Sequence, residues 1–261
     1  LQTAILLDQL EWEPWSALPG AMIPTRASIE KIIPGYYELY DPAKRGNPEN
    51  YTALLKDRFQ QRRDFLANVS HELRTPVTVL RGSLEALCDG VVTDPAQVDQ
   101  YHRQMLKETK GLQRLVNDLM DLARLQNTGF PIERTALSLN EVLGDALHGA
   151  GQLARKKQIT FNRQIPEEAV PFSGDYGRLR QMFLIVLDNA VKFSPEGSVV
   201  TVTLAPGSAA IRDEGPGIAP EELKLIFDRF HKARTEENKQ GSGLGLAIAR
   251  QIAERHGIAI S

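Results

Sequence analysis

Apolar residues at Leu55, Phe59, Leu66, Val69, Leu73, Leu80, Leu84 and Leu87 recur mostly at three-, four- or seven-residue steps, the spacing of a helix that pairs along one stripe. The pattern predicts one long helix from Tyr51 to about Cys88, broken by Asp89-Gly90. A second helix is expected to start at Asp94-Pro95, with Asp94 as its cap, Pro95 in its first turn and Gln97 at a capping-box-like spacing. Met105, Leu112, Leu115, Val116, Leu119, Leu122 and Leu125 line its stripe, and Asn127-Thr128-Gly129 closes it. A lone hairpin of two such helices cannot bury both stripes. Pairing with a second copy into a four-helix bundle is the natural solution, so a homodimer is expected.

After Pro131 the pattern changes to alternating elements. Helices are expected at Ser138 to about Ala154, Tyr176 to Lys192, Pro220 to Phe227 and Gly245 to His256. Strands are expected at Ile159 to Ile165, Val199 to Leu204, Ala209 to Arg212 and Ile258 to Ser261. Helices interleaved with strands make a mixed α/β layer domain. Residues 1–50 differ: they carry Trp12, Trp15, Tyr36, Tyr37 and Tyr40, with prolines at 14, 19, 24, 34, 42 and 48 that exclude long helices after Leu10. That segment reads equally as the tail of a sensory or relay module or as an irregular aromatic cap. The chain thus divides into 1–50, a helical hairpin at 51–130 and an α/β domain at 131–261.

Charge narrows the function classes. With 31 basic and 33 acidic residues the net charge is -2, which leaves no electrostatic footprint for binding nucleic acid. Cys88 is the single cysteine, so neither an internal disulfide nor a multi-cysteine zinc cluster is expected, and helix filler is its plain reading. No run reaches the roughly 18 consecutive apolar residues of a membrane-spanning helix, and Leu1 heads no signal-peptide pattern.

Candidate chemistry begins in the first helix, in the run Phe65-Leu66-Ala67-Asn68-Val69-Ser70-His71-Glu72-Leu73-Arg74-Thr75-Pro76. His71 lies two residues from both Val69 and Leu73, so at about 100° per residue it points away from the stripe and into solvent. Neutral imidazole is a competent nucleophile near neutral pH, and Glu72 is the adjacent candidate base. Thr75 is one turn on and shares the face of His71. Pro76 lacks an amide proton and crowds the Glu72 carbonyl, so a bend is expected there. Standing alone, His71 would be an ordinary surface histidine, as His102, His148, His231 and His256 are taken to be at the surface or at helix ends.

A second set lies in the α/β region. Asn189 closes an apolar helical run and offers an amide oxygen to a hard cation such as magnesium, and Lys192 on the next turn carries charge for phosphate. Asp213 precedes Gly215 and Gly217 at a strand end, where the glycines permit a tight turn and the carboxylate can accept from an exocyclic amine. Gly241-Ser242-Gly243-Leu244-Gly245 opens a helix, so its amides and helix dipole can face a polyphosphate. Each feature alone also reads blandly, as a helix end, a common turn and a linker.

Together and in this order, the four motifs resemble the phosphoacceptor, N, G1 and G2 boxes of sensor histidine kinases, over roughly positions 54 to 261. The resemblance implies ATP and Mg2+ as ligands and a two-layer α/β sandwich like that of gyrase, heat-shock chaperones and mismatch-repair ATPases. It implies autophosphorylation of His71, transfer to an aspartate of a response regulator receiver domain, and phosphatase activity through Thr75. In this family Glu72 would hold the ring nitrogen that is not phosphorylated, and Asp213 would read the adenine amine. Lys232 to Gln240 resembles the mobile lid over the nucleotide, and Phe227-Asp228-Arg229-Phe230 the F box, with core packing the favoured role for its phenylalanines. Relatives are anchored by upstream membrane helices, so a cytoplasmic portion of a bacterial inner-membrane receptor is implied, attached only through segments absent from this chain.

Two departures stand out. Where relatives often carry a second asparagine, this chain has Ile185, which cannot ligate a cation. It also ends at Ser261, where relatives continue through a closing hairpin, so an incomplete domain is expected. Two alternatives accompany the kinase reading: an ATPase of the gyrase or chaperone type, against which an exposed His71-Glu72 pair argues, and a catalytically weak dimeric scaffold, motivated by Ile185 and the missing hairpin.

Overall fold

The structure is a computed structural model that describes residues 12–14, 22–24, 48–127, 131–232 and 241–260, with side-chain surroundings at 60 and from 63 onward. It divides into two compact units, Leu1–Ala67 and Asn68–Ser261. In the first, β1 (Trp12–Pro14) and β2 (Met22–Pro24) pair antiparallel, with Glu13 opposite Ile23. The rest of the expectation for residues 1–50 lies outside the described residues, as do the side chains of Leu55 and Phe59.

Helix α1 spans Pro48–Cys88 and continues through Pro76. Helix α2 spans Pro95–Gln126, and its cap is the expected one: the Gln97 amide donates to Asp94 Oδ2 at 3.0 Å. Between them the chain reverses at Gly90, whose φ of 67° is the left-handed region that favours glycine. Leu115, Leu122 and Leu125 of α2 are buried, while Leu84, Val116 and Met120 on the two helices stay exposed.

The α/β region follows as β3 (Thr135–Ser138), α3 (Leu139–Lys156), β4 (Thr160–Gln164), β5 (Pro171–Gly174), α4 (Tyr176–Phe193), β6 (Val199–Ala205), β7 (Ser208–Arg212) and α5 (Gly245–His256). β4 runs parallel to β6, which pairs antiparallel with β7, giving a mixed sheet in the order β4-β6-β7. Strand β6 alternates outward and inward, burying Val200, Val202 and Leu204. Val142, Leu143, Ala146 and Leu147 of α3 join this core, with Leu179, Leu187 and Val191 of α4 and Ile248 and Ile252 of α5. Helix α4 packs between α3 and α5, and α5 also packs on α2. The result is the expected hairpin followed by a helix-on-sheet domain.

Several expectations need correction. β3 and β5 form a separate antiparallel pair, with Leu137 opposite Phe172, where no strands are expected. Ser138 precedes α3 without capping it; the Leu139 amide instead donates to the Val170 carbonyl. Residues 220–227 form no helix. They make a run of turns that mixes three- and four-residue steps, such as Leu225 N–H to Glu222 O and Ile226 N–H to Glu222 O, too short to propagate. Residues 258–260 are not a strand: the Ile258 amide is spent on the Ala253 carbonyl, closing α5 behind Gly257 at φ 71°. His256 stands at the end of α5, one of the two places expected for it, and is buried there. Its Nε2 accepts from the Asp175 amide at 3.0 Å, which leaves Nδ1 as the donor to the Ile252 carbonyl at 2.7 Å.

Candidate functional site

His71 is exposed on α1, as its position opposite the apolar stripe requires. The Thr75 hydroxyl donates to the His71 carbonyl at 3.3 Å, so the two lie on one face, one turn apart. Glu72 is half-buried, and Lys232 Nζ lies 2.7 Å from its Oε2. Lys232 is the first residue of the polar segment expected to be a lid; 233–240 lie outside the described residues.

The second set gathers around the C-terminal end of α4 and the N-terminal end of α5. Asn189 and Lys192 are half-buried on the last turns of α4. Lys192 Nζ lies 4.7 Å from the centre of the Phe193 ring, a cation held over an aromatic face. Asp213 folds back on its own loop, its Oδ1 accepting from the Gly215 amide at 2.8 Å. A Cβ at Gly215 would lie 2.7 Å from Asp213 Oδ1 and 3.2 Å from the Phe193 carbonyl oxygen, so this loop sits against the end of α4 and a side chain there would push the Asp213 carboxylate aside. Gly217 has φ 75° with open space around it, so its requirement is conformational.

The loop before α5 is crowded in the same way. Gly243 has φ 70°, and a Cβ there would lie 2.7 Å from Phe230 Cα and 3.0 Å from the His231 carbonyl oxygen. Its own carbonyl accepts from the Phe230 amide at 2.8 Å. Gly241 is half-buried; Leu244, the residue before α5, is fully buried and anchors the loop in the core. Gly245 meets Ile185: a Cβ there would lie 3.3 Å from Ile185 Cγ2. The position that departs from the resemblance is therefore part of this site, as an aliphatic wall beneath the glycine loop.

These features fit a nucleotide. Among the described residues no side chain caps helix α5, which leaves its first amides able to face an anion. His231 Nε2 is buried beside this loop with no hydrogen-bond partner among the described residues, a polar atom that a ligand could satisfy. His231 is half-buried and lies in no helix, where the surface or a helix end is expected. No cluster of three His, Cys, Asp or Glu side chains among the described residues could hold a metal ion. Magnesium needs no such cluster, because it binds through one or two protein oxygens plus substrate phosphates, and the Asn189 amide fits that demand.

Among the described residues, two contacts tie the glycine-loop region to the hairpin that carries His71. One is Lys232 to Glu72. In the other the Ser242 hydroxyl donates to Asp118 Oδ2 of α2 at 2.9 Å and accepts from the Leu244 amide at 3.2 Å. Burial pushes the Asp118 carboxyl above its ordinary range; the Ser242 hydrogen bond opposes this, the Asp121 charge adds to it and Arg114 opposes it. Close by, Asp121 takes Arg178 Nη1 and Gln181 Nε2, each at 2.8 Å. None of these partners carried a sequence signal beyond the place of Lys232 after Phe230-His231, since Ser242 and Asp118 lie 124 positions apart.

The fold and the ordered site define a histidine kinase core. Residues 61–128 match the family model of the His Kinase A (phospho-acceptor) domain. Residues 174–261 match that of the Histidine kinase-, DNA gyrase B-, and HSP90-like ATPase. The chain belongs to the sensor histidine kinases of two-component systems, which are protein-histidine kinases. It is 37% identical over 205 residues to the sensor protein SrrB of Staphylococcus aureus, covering 76% of this chain and 35% of that protein's length. Among solved structures, histidine kinase AdeS of Acinetobacter baumannii is 26% identical with a TM-score of 0.56, over 70% of this chain and 86% of that one. Full-length ShkA in complex with AMPPNP is 27% identical with a TM-score of 0.52, over 74% of this chain and 41% of that one. Among the described residues, no helix is long and apolar enough to cross a membrane.

Proposed function

We propose that the domain at 131–261 binds ATP and phosphorylates His71 on the hairpin at 51–130, which then donates the phosphoryl group to an aspartate of a response regulator receiver domain. The observation that carries this reading is the ion pair between Glu72, next to the exposed His71, and Lys232, next to the glycine loop before α5. The similarities support it too: to a phospho-acceptor domain, to an ATPase domain and to a histidine kinase solved with AMPPNP.

In the step itself one ring nitrogen of His71 attacks the γ-phosphorus, the bond to the β–γ bridging oxygen breaks, and ADP leaves. Glu72 accepts a hydrogen bond from the other ring nitrogen and so offsets the charge the ring gains. Asp213 takes the adenine amine, with Gly215 and Gly217 letting the loop lie flat against the base. Gly241, Gly243 and Gly245 present amides to the phosphates, while the Leu244 amide holds Ser242 and its side chain anchors the loop, and Lys192 adds charge. Asn189 would hold Mg2+, which supplies neutralisation of the phosphate charge when bound. Thr75 orients water for the reverse duty, dephosphorylation of the regulator. The exposed apolar residues Leu84, Val116 and Met120 support a homodimer closed as a four-helix bundle. Incubation with magnesium-ATP tests the reading directly: acid-labile phosphate on the wild type and none on His71→Gln is the expected result.

A further inference from the structure

Helix α4 ends where the nucleotide site begins, and the last carbonyls of a helix lack partners within it. Three of the last four are accounted for here. The Ala190 carbonyl accepts from the Ser194 amide at 3.1 Å and the Ser194 hydroxyl at 2.7 Å. The Val191, Lys192 and Ser194 carbonyls all accept from Lys157 Nζ, at 3.1, 2.7 and 2.7 Å. Among the described residues the Phe193 carbonyl takes no hydrogen bond, and it is the one against which Gly215 packs.

Lys157 comes from outside the nucleotide motifs. It follows α3, and its amide bonds back to Leu153 and Ala154 while its carbonyl takes the Gly197 amide at 2.9 Å, so its backbone is fixed on both sides. An ammonium group has three protons, and all three are spent on these carbonyls. A cation at a helix C-terminus is also favoured by the helix dipole.

We propose that Lys157 is a positioning residue for the nucleotide site: seated among the carbonyls of Val191, Lys192 and Ser194, it fixes the end of α4 that carries Asn189 and Lys192 and turns the Phe193 carbonyl toward the Gly215 loop. The assignment rests on the ATP reading above. It adds a residue that touches no ligand and acts only through the elements that do. Removing the ammonium group releases three carbonyls at once. The end of α4 then loosens, and the Asp213–Gly217 loop that leans on it loses its seat. ATP affinity falls, whereas the His71 chemistry, on a different helix, keeps its rate once nucleotide is bound.

The test uses the full chain with Cys88→Ser, because Cys88 is an exposed thiol that would otherwise react. Lys157→Cys is compared before and after alkylation with bromoethylamine, which rebuilds a lysine-like ammonium, and with iodoacetamide, which adds a neutral group. The expected loss is about tenfold in ATP affinity and in KM, the part of a charge-assisted hydrogen-bond set that reaches the ligand, with kcat within about twofold. Bromoethylamine restores the affinity and iodoacetamide does not. Restoration by both reagents, or an unchanged KM in the folded cysteine variant, overturns the proposal. Should Lys157→Cys not fold, Lys157→Met keeps the apolar stem and carries the same test: a raised KM with an unaltered circular dichroism spectrum supports the role, and an unchanged KM overturns it. Wild-type protein that binds no ATP removes the nucleotide reading itself, whereas wild-type binding matched by Lys157→Met removes only the role of Lys157.

Discussion

Lys232 reaches Glu72 at 2.7 Å across 160 positions of sequence, with the two side chains 24% and 30% exposed. The residue beside the exposed histidine is thereby tied to the residue beside the glycine loop, and the half-buried setting gives the pair more weight than an open surface ion pair. In a double-mutant cycle with Glu72→Gln and Lys232→Met, thermal or denaturant unfolding is expected to show coupling of about 1 kcal/mol. No coupling would mean that the pair does not form in solution. Glu72→Gln should also slow His71 phosphorylation by about a hundredfold, the lower range for loss of an acid–base partner.

The glycines separate strain from crowding. Gly217→Ala meets only an unfavourable φ, so it should lower stability by about 1 kcal/mol and leave ATP binding measurable. Gly243→Ala meets that penalty and the Phe230 backbone at 2.7 Å, so the loop must shift and ATP affinity should fall by more than about tenfold. Equal affinities in the two variants, measured by calorimetric titration, would contradict the crowded cradle.

Asp118 gives a pH signature. Its carboxyl is raised above the usual 3.8 chiefly by burial, so the folded protein binds that proton more tightly than the unfolded chain. Ionisation therefore lowers stability as pH rises from the ordinary value through the raised one, and the penalty persists at neutral pH. Asp118→Asn removes the charge while its amide oxygen can still accept from Ser242. It should be as stable as the wild type or more so at pH 7, and should lose the decline just above the ordinary carboxylate range. Marked destabilisation at pH 7 would show that the charged form is the one the fold prefers.

The exposed apolar positions predict assembly. Leu84 and Met120 are each 50% exposed in the single chain. Leu84→Glu with Met120→Glu should convert a dimer to a monomer in light scattering at micromolar concentration, with the α/β domain still folded. A wild type that is already monomeric would contradict the bundle.

The hairpin was legible because Asp94, Pro95 and the leucine stripes act locally: caps and periodicity decide helices within a few residues of themselves. Helix α5 was legible for the same reason, since Gly245 and Gly257 bracket it. Strands β3 and β5 were not, because Thr135–Ser138 and Pro171–Gly174 are short and gain order only from each other. The segment 220–227 failed in the opposite sense, with a helix-like composition that forms only turns. At the site, residue types and order pointed to His71, Asn189, Asp213 and the glycines. Partners such as Asp118, Lys157 and Lys232 could not be read, because a long-range pair leaves no pattern in a single sequence. Ile185 was visible as a departure, but its packing under Gly245 needed the fold.

The proposed reaction is phosphorylation of His71 by nucleotide bound near α4 and α5. The most direct measurement is the intact mass of the protein after incubation with magnesium-ATP, for the wild type and for His71→Gln, before and after mild acid. One added phosphate on the wild type, removed by acid and absent from His71→Gln, is the predicted result. An acid-stable phosphate, or the same phosphate on His71→Gln, would contradict it.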